Sequence, residues 1–404
     1  MQARSTGDIP VNIKNLFSKI ISCAFILVVI LIFTVGFINA LFFPDIISEY
    51  ENRYANKIEA FTVQTYVDGS FQEKLDTALA DQITLASTFK KTYNQLSSRT
   101  YRAFLQPVLE YAETNGNYLP MNSGWIFGGD TLVSYHYPPA RVSDLERAAE
   151  AYNRIFTCWP DTEFFVYYVE RGMDIDFSTG NKPDFCGQFF SLLELPEENM
   201  DAFSVDSFEQ YRENFFATDH HWKNTGSYRG YREVLKLLGC EETPLQPLSE
   251  RVLSDRFYGS YARGDLSCYN EKFTVYEFDF PAMKCRVDGY ESENYGNQEY
   301  YLAGNMPVEA YGKFYGLDNG EVFYSTNRPE RENLLIIGDS YDNAIIRLLA
   351  THFNNTYSVD PRTYEVYLYK PFSLEHYIEI CEADKVLFLG NFDTLTDQRF
   401  YLGE

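Results

Sequence analysis

The sequence predicts an α/β domain, built on a parallel sheet flanked by helices and joined to an N-terminal transmembrane helix. Strand-like and helix-like segments alternate in the C-terminal part of the chain, and this rhythm is typical of parallel sheets. A long apolar run lies near the N-terminus, at residues 20–43. The chain has 404 residues and is 45% hydrophobic, which is enough for one large globular domain.

The apolar run at residues 20–43 is long enough to cross a membrane. At about 1.5 Å per residue a helix of this length spans a hydrocarbon core of roughly 30 Å. Arg4, Lys14 and Lys19 precede the run, and acidic residues such as Asp45 follow it. The positive-inside rule therefore predicts a single-pass membrane protein, with residues 1–19 in the cytoplasm and the main domain outside. A cleaved signal peptide is the alternative, but the run exceeds the usual signal length of roughly 7 to 15 apolar residues.

The charge balance argues against nucleic-acid binding. The net charge is -24, and no run rich in Lys or Arg is present. A protein that binds DNA or RNA needs a basic face to displace counterions from phosphates. No sequence motif points to a cofactor.

Seven cysteines are compatible with an oxidising compartment without requiring disulfides. Cys23 lies in the apolar run, and no C-x-x-C pair suggests a zinc ribbon. The remaining six can either pair or stay as buried thiols: Cys158, Cys186, Cys240, Cys268, Cys285 and Cys381.

The region after the apolar run has two predicted parts. Residues 44–117 are charged and poor in Gly, with a helical stretch at 71–80, and are expected to form a membrane-proximal helical region. The main domain is expected at 118–404, with a β-rich and loop-rich insertion at about 240–328. Its first elements are predicted as a strand at 124–127, a helix at 142–154 and a strand at 163–169.

The C-terminal elements define the predicted sheet most clearly. Strands are expected at 334–337, 357–359 and 385–389, and helices at 344–349 and 374–381. In parallel sheets, functional groups collect beyond the carboxyl ends of the strands. The polar residues in those positions are Ser340, Asp360, Arg362, Asn391 and Asp393.

A serine hydroxyl at position 340 needs a base before it can act as a nucleophile. Of five histidines, His221 is the best candidate because Asp219 lies two residues before it, and residues i and i+2 of an extended segment face the same side. His220 is then expected to face the other way, as a structural or substrate-facing residue. A helix capped by Asn224 or Thr225 is expected to anchor this string.

These motifs resemble a known enzyme group. Gly338-Asp339-Ser340 after a buried strand resembles the nucleophile block of SGNH hydrolases, and Asp219-x-His221-Trp222 resembles the DHHW family and the related alginate O-acetyltransferases. Usual SGNH enzymes carry a D-x-x-H block after the serine, which this chain lacks. The Asp-His-before-Ser order matches the permuted relatives. Weaker similarities, in the same order as in the family, lie at 48–53, 257–260 and 359–362.

The resemblance implies an extracytoplasmic enzyme that takes an acetyl group onto Ser340 and passes it to a hydroxyl of an exported polysaccharide. His221 would be the general base and acid, Asp219 would orient it, and the Ser340 N–H would form part of an oxyanion hole. In such systems a multispanning membrane O-acyltransferase commonly delivers the acyl group. Two alternatives stay open: an acetylesterase with the same triad, and a non-catalytic glycan-binding or envelope protein.

Other residues near the predicted site have both a structural and a functional interpretation. Asp339 is expected to hold the turn beside the nucleophile. Asn391 can donate to an oxyanion or cap a loop. Arg362 can contact an anionic substrate or pair with Asp360, and the pair is the favoured interpretation.

Aromatic residues supply the remaining candidates for substrate binding. Trp125 and Tyr258, together with His220, are candidate sugar contacts, since aromatic rings can stack on sugar faces. Trp222 is expected to pack beneath its loop. The Asp-His string could instead ligate a metal, but no further ligand at a suitable spacing is apparent, so no metal is expected.

Overall fold

The computed structural model describes residues 11–42, 47–48, 53–54, 56, 61–82, 86–121, 124–264, 271–293, 295 and 310–401. The chain divides into two compact units, Met1–Leu96 and Ser97–Glu404.

The first unit contains the predicted membrane helix. Helix α1 covers Val11–Phe42, and its Lys19–Asn39 stretch has a mean hydropathy of 3.0 and is long and apolar enough to cross a membrane. Short strands β1 (Ile47–Ser48) and β2 (Arg53–Tyr54) pair antiparallel. Three further helices follow, the last of which continues into the second unit: α2 (Val63–Val67), α3 (Ser70–Gln82) and α4 (Ala86–Asn115).

The second unit is built on a mixed sheet. The strands of this unit are β3 (Leu119–Pro120), β4 (Trp125–Phe127), β5 (Thr131–Val133), β6 (Glu163–Val169), β7 (Met200–Phe203), β8 (Ser249–Phe257), β9 (Glu271–Glu277), β10 (Lys284–Val287), β11 (Tyr290–Glu291), β12 (Glu321–Ser325), β13 (Leu334–Ile337), β14 (Asn355–Val359) and β15 (Lys385–Gly390). The order of strands in the mixed sheet, in the described part of the chain, is β11-β10-β12-β14-β13-β15-β6-β7. Strands β3 to β5 form a separate small sheet, and β8 pairs with β9.

The predicted parallel sheet is present, and one of its edges is antiparallel. Strands β14, β13, β15, β6 and β7 are parallel to one another, whereas β12 pairs antiparallel with β14, and β10 and β11 extend that edge antiparallel. These three strands lie in the region that was predicted to be an insertion around the sheet. The weak periodicity of this region could not show which strand of the sheet its strands would join. The pairing of β12 with β14 is a long-range contact that local sequence does not report.

Helices cover both faces of the sheet. They are α5 (Val142–Cys158), α6 (Phe185–Leu192), α7 (Phe208–Asn214), α8 (Asn224–Leu237), α9 (Ser260–Gly264), α10 (Ala310–Tyr315), α11 (Ile346–Ala350), α12 (Pro361–Leu368), α13 (Leu374–Cys381) and α14 (Phe392–Leu395). Along β13, Leu334 and Ile336 pack with residues of α8 and α11, whereas Leu335 and Ile337 pack in the cluster that contains α5, α6 and α13. Successive strand residues thus face opposite layers, as the pleat requires.

The helix predicted at 344–349 is broken in the structure. A 3₁₀ turn covers Asp342–Ala344, and the short helix α11 follows it. The Asp342 N–H donates to the Asp339 carbonyl, which tightens the chain into a turn directly after Ser340. Helix α8 begins where it was expected, but its cap position is Lys223, without a side-chain capping bond.

The described cysteines are all unpaired: Cys23, Cys158, Cys186, Cys240, Cys285 and Cys381. Cys268 lies outside the described residues. Cys186 and Cys381 are buried, and burial raises the pKa of both thiols, so they act as packing groups and not as reactive thiolates.

Candidate active site

Ser340, His221 and Asp219 form one continuous hydrogen-bonded chain. The Ser340 hydroxyl lies 2.8 Å from Nε2 of His221, although the two residues are 119 positions apart. Nδ1 of the same ring lies 2.7 Å from Oδ1 of Asp219. All three side chains are buried. The arrangement is that of a nucleophile, a base and a group that orients the base.

The sheet and the turn at residues 338–342, here called the nucleophile turn, position Ser340. Strand β13 ends at Ile337, and the serine stands three residues later, beyond the carboxyl end of a central parallel strand. The Asp339 carboxylate accepts the Tyr341 N–H at 3.0 Å, and its other oxygen accepts from the Thr394 hydroxyl and the Asn391 amide. Asp339 thus holds the turn through contacts with the loop that follows β15.

The Asp219–Trp222 segment is bent, and the expected extended conformation is wrong. Oδ1 of Asp219 accepts the His221 backbone N–H at 3.1 Å as well as the imidazole, which closes a local side-chain turn. Oδ2 accepts the Ser260 N–H at 2.7 Å. Trp222 is fully buried and pairs with Phe215 in an isolated bridge that closes the segment. The dyad forms through this turn and not through the alternation of an extended strand.

His220 lies beside His221 and does not point the opposite way. The two ring centroids are 3.9 Å apart, and Nδ1 of His220 lies 2.8 Å from the Ser260 hydroxyl. Burial, followed by the charges of His221 and Arg171, lowers the pKa of His220 well below its usual range. Its ring is therefore neutral at physiological pH and forms a hydrogen bond with the Ser260 hydroxyl.

Tyr311 is a site residue that sequence reasoning missed. Its ring lies nearly parallel to the His221 imidazole, with centroids 3.9 Å apart and an interplanar angle of 14°. Its hydroxyl donates to the Ser340 carbonyl at 3.0 Å. Helix α10, which carries this tyrosine, lies in the weakly periodic middle of the chain, where no sequence signal indicated a contact with the site.

The Ser340 backbone N–H is available to an oxyanion. It donates to no residue in the described ranges, whereas the Ser340 carbonyl is occupied by Tyr311. Asn391 is not arranged as a second donor. Its Oδ1 accepts from the Asp393 and Thr394 N–H groups, and its Nδ2 donates to Asp339, so the amide caps helix α14 and braces the nucleophile turn.

Arg362 forms an ion pair with Asp360. Its Nε and Nη2 donate to the two carboxylate oxygens, at 2.9 to 3.1 Å and 2.6 Å, and Nη2 also lies 3.5 Å from Asp318. Asp360 is buried, which raises its pKa to about 6, while the Arg362 guanidinium acts in the opposite direction. Because two carboxylates already surround the guanidinium, the structure favours the structural pair over a substrate contact.

The aromatic candidates are positioned by packing. Trp125 packs edge-on against Tyr135, with ring centroids 5.2 Å apart, and belongs to the small three-stranded sheet, not to the sheet that contains β13. Tyr258 is half-buried and precedes Gly259, whose N–H donates to the Thr218 hydroxyl. A Cβ at Gly259 would lie 2.2 Å from the Thr218 carbonyl oxygen, so only glycine permits this close approach. Of the predicted sugar contacts, the structure brings His220 directly against the triad.

The Asp219, His220 and His221 side chains could also supply metal ligands. One ligand atom from each lies within 4.8 Å of the others. Both ring nitrogens of His221, however, already have hydrogen-bond partners in Asp219 and Ser340. A metal that used this ring would have to replace one of those bonds, so the geometry fits the triad better.

The fold and the hydrogen-bonded triad define an SGNH-hydrolase-like α/β protein in which Asp and His precede Ser in the chain. No protein-family model and no curated protein matches the sequence. The structure of Bacillus cereus PatB1 with a sulfonyl adduct is similar, with a TM-score of 0.53 and 17% identity over 70% of this chain and 98% of that one.

A DHHW family protein from Eubacterium siraeum is also similar, with a TM-score of 0.51 and 17% identity over 71% of this chain and 95% of that one. The predicted resemblance to the DHHW family is thus confirmed as a likeness of fold. The O-acetyltransferase domain of Pseudomonas putida AlgJ aligns with a TM-score of 0.34, which is too low to support any inference.

Proposed function

We propose that this protein is a membrane-anchored O-acyltransferase that acetylates hydroxyl groups of an exported or cell-surface polysaccharide outside the membrane. The observation that carries the proposal is the continuous Ser340–His221–Asp219 hydrogen-bonded chain. The DHHW-like fold and the apolar helix α1 support it.

In the first half-reaction the Ser340 oxygen attacks the acyl carbon of the donor. His221 takes the serine proton on Nε2, and Asp219 stabilises the resulting imidazolium through Nδ1–H. The Ser340 N–H faces the developing oxyanion. When the bond to the leaving group breaks, His221 returns the proton to that group, and the acetyl group remains on Ser340.

In the second half-reaction a sugar hydroxyl takes the place of the leaving group. His221 removes its proton, the sugar oxygen attacks the acetyl carbon, and the Ser340 oxygen leaves and recovers the proton. Water in place of the sugar would give an acetylesterase. A multispanning membrane O-acyltransferase would supply the acyl group. The helix α1 would hold this enzyme at the membrane, where it can receive that group.

Replacement of the nucleophile tests the proposal. With p-nitrophenyl acetate as donor, we expect Ser340→Ala to lower p-nitrophenol release by about three orders of magnitude or more. A sulfonyl fluoride should add to the wild-type serine with loss of fluoride, and mass spectrometry should find no adduct in the variant. Ser373→Ala, at the cap of α13, is the matched control and should keep full activity.

The products distinguish the alternatives. Acetylated sugar in the presence of glycan indicates a transferase, whereas free acetate alone, with or without glycan, indicates an esterase. Wild-type activity in Ser340→Ala would refute the serine mechanism. A wild-type protein that neither turns over the ester nor reacts with the sulfonyl fluoride would support a non-catalytic role.

A further inference from the structure

His220 has a ring nitrogen without a partner, beside the His221 imidazole. The side chain of His220 is 29% exposed and that of His221 only 11%, so His220 is the more accessible of the two rings. Nδ1 of His220 lies 2.8 Å from the Ser260 hydroxyl and 3.2 Å from Oδ1 of Asp219. Nε2 of the same ring forms no hydrogen bond with any residue in the described ranges. This atom is therefore left for a substrate.

The hydrogen of the neutral His220 ring belongs on Nδ1. Burial lowers the pKa of the ring well below its usual range, so the ring carries a single nitrogen-bound hydrogen. Nδ1 faces the Asp219 carboxylate, and a lone pair in that place would be repelled by the negative charge. With its hydrogen on Nδ1, the ring donates toward Asp219 and Ser260. Nε2 then keeps a lone pair, which accepts hydrogen bonds.

Both imidazoles turn Nε2 away from Asp219. Nδ1 of each ring lies against the same carboxylate oxygen, at 2.7 Å for His221 and 3.2 Å for His220. The ring centroids are 3.9 Å apart, and the ring planes differ by 36°. Nε2 of His221 meets Ser340, and the Tyr341 hydroxyl donates to the His220 carbonyl at 2.6 Å, which ties His220 to the nucleophile turn. The free nitrogen of His220 therefore lies beside the place where an acceptor hydroxyl meets His221.

We propose that Nε2 of His220 binds a second hydroxyl group of the acceptor sugar, on the carbon next to the one whose hydroxyl is acetylated. The substrate class is then a vicinal diol. This inference rests on the proposed function and adds a requirement on the acceptor. It also gives His220 a role in substrate binding that is separate from proton transfer.

The two hydroxyl groups have different fates in the second half-reaction. In the acyl-enzyme the Ser340 oxygen carries the acetyl group and no longer donates to His221. The attacking hydroxyl gives its proton to Nε2 of His221, and its oxygen bonds to the acetyl carbon. The neighbouring hydroxyl keeps its proton and donates a hydrogen bond to Nε2 of His220, which holds the sugar in position for the attack. The Ser340 oxygen then leaves and recovers the proton.

Pairs of acceptors that differ in one hydroxyl group test the proposal. The full-length protein in detergent is given p-nitrophenyl acetate with cis- or trans-1,2-cyclohexanediol, or with the matching 2-methoxycyclohexanol, whose capped oxygen cannot donate. Mass spectrometry measures the acetylated product relative to free acetate. We expect wild type to favour the better diol over its methyl ether about tenfold, as the loss of one hydrogen bond predicts.

Variants of His220 show whether this preference comes from the ring. His220→Asn keeps a polar group near the Ser260 hydroxyl but has no atom at the outer position, and it should reduce the preference to less than about twofold. His220→Gln places a polar atom at the outer position and should retain part of the preference. His376→Asn replaces an exposed histidine on α13, and this control should keep the tenfold value. Because the preference is a ratio within each variant, a general loss of activity does not alter it.

The outcomes separate failure of this inference from failure of the proposed function. Transfer with the same preference in wild type and His220→Asn would overturn the inference alone, since the methyl group would then act by its size. Slower p-nitrophenol release with an unchanged preference would overturn it too, in favour of Nε2–H as an oxyanion donor. Ester turnover without transfer to any acceptor would refute the transferase itself. A sulfonyl adduct on Ser340 in His220→Asn shows that the variant is folded.

Discussion

The His221 imidazole is held on three sides, by one residue close to it in the chain and by two from distant parts of the chain. Asp219 accepts from one ring nitrogen, Ser340 donates to the other, and Tyr311 covers a face of the ring. A histidine that must first accept and then return a proton has to keep one orientation through both steps. The tyrosine also holds Ser340, because its hydroxyl donates to the Ser340 carbonyl.

We expect Tyr311→Leu to lower kcat for p-nitrophenyl acetate about tenfold, with little change in KM. Loss of the stacked ring lets the imidazole turn and removes the π face that stabilises the imidazolium, an interaction of order 1 kcal/mol. Tyr311→Phe keeps the stack and should restore kcat to within about threefold of wild type. Equal losses in both variants would show that the hydroxyl, and not the ring, matters, and a raised KM alone would contradict a positioning role.

At the scale of the element, the nucleophile turn contains a buried carboxyl group. Oδ2 of Asp342 accepts from the Ser358 hydroxyl at 2.7 Å, and a Cβ at Gly338 would lie 2.4 Å from the same oxygen. Burial raises the pKa of Asp342 well above its usual range, and the nearby charge of Asp339 adds to the effect. The turn thus depends on glycine for space, and burial favours the neutral form of its carboxyl group.

This carboxyl group should make stability depend on pH. Above about pH 4 the unfolded chain has lost the Asp342 proton while the folded protein still binds it, so the free energy of unfolding falls as the pH rises toward the folded-state pKa. Asp342→Asn cannot ionise and should raise the Tm by a few degrees at pH 8 but not at pH 4. Thermal melts at both values, with Asp161→Asn as an exposed control, check this. An equal effect at both values would contradict it.

At the scale of the whole molecule, the chain joins a strongly apolar helix to an acidic enzyme-like domain. The Lys19–Asn39 stretch of helix α1 has few buried residues, with only 6% of it buried within the structure. A helix of this length and hydropathy is suited either to a membrane anchor or to a signal sequence. The basic residues upstream of the run favour a cytoplasmic N-terminus.

We expect an N-terminal epitope tag to remain on the mature protein in the membrane fraction. Protease added to cells with permeabilised walls should digest the main domain and leave the tag protected on a short fragment. Digestion of the tag while the main domain stays intact would indicate the opposite orientation. Loss of the tag from the mature protein would show that the apolar run is a cleaved signal.

Local patterns in the sequence predicted several elements of the main sheet and its helices. The buried strands at 163–169 and 334–337 and the helix at 374–381 were predicted with the bounds that the structure has. Their apolar runs and periodicity need no knowledge of distant partners. The helix predicted after Ser340 failed because Asp339 and Asp342 compete locally for backbone and side-chain bonds and tighten the turn.

The sequence by itself determined the α/β elements, the apolar helix, and the pairing of Asp219 with His221, because all of these follow from residues close together in the chain. Tertiary structure alone decided that Ser340 meets His221, that Tyr311 covers the imidazole, and that β12 joins the sheet antiparallel. Those contacts depend on the order of strands and on how helices pack over them. Local periodicity reports which face of an element is buried, but not which distant residue it is buried against.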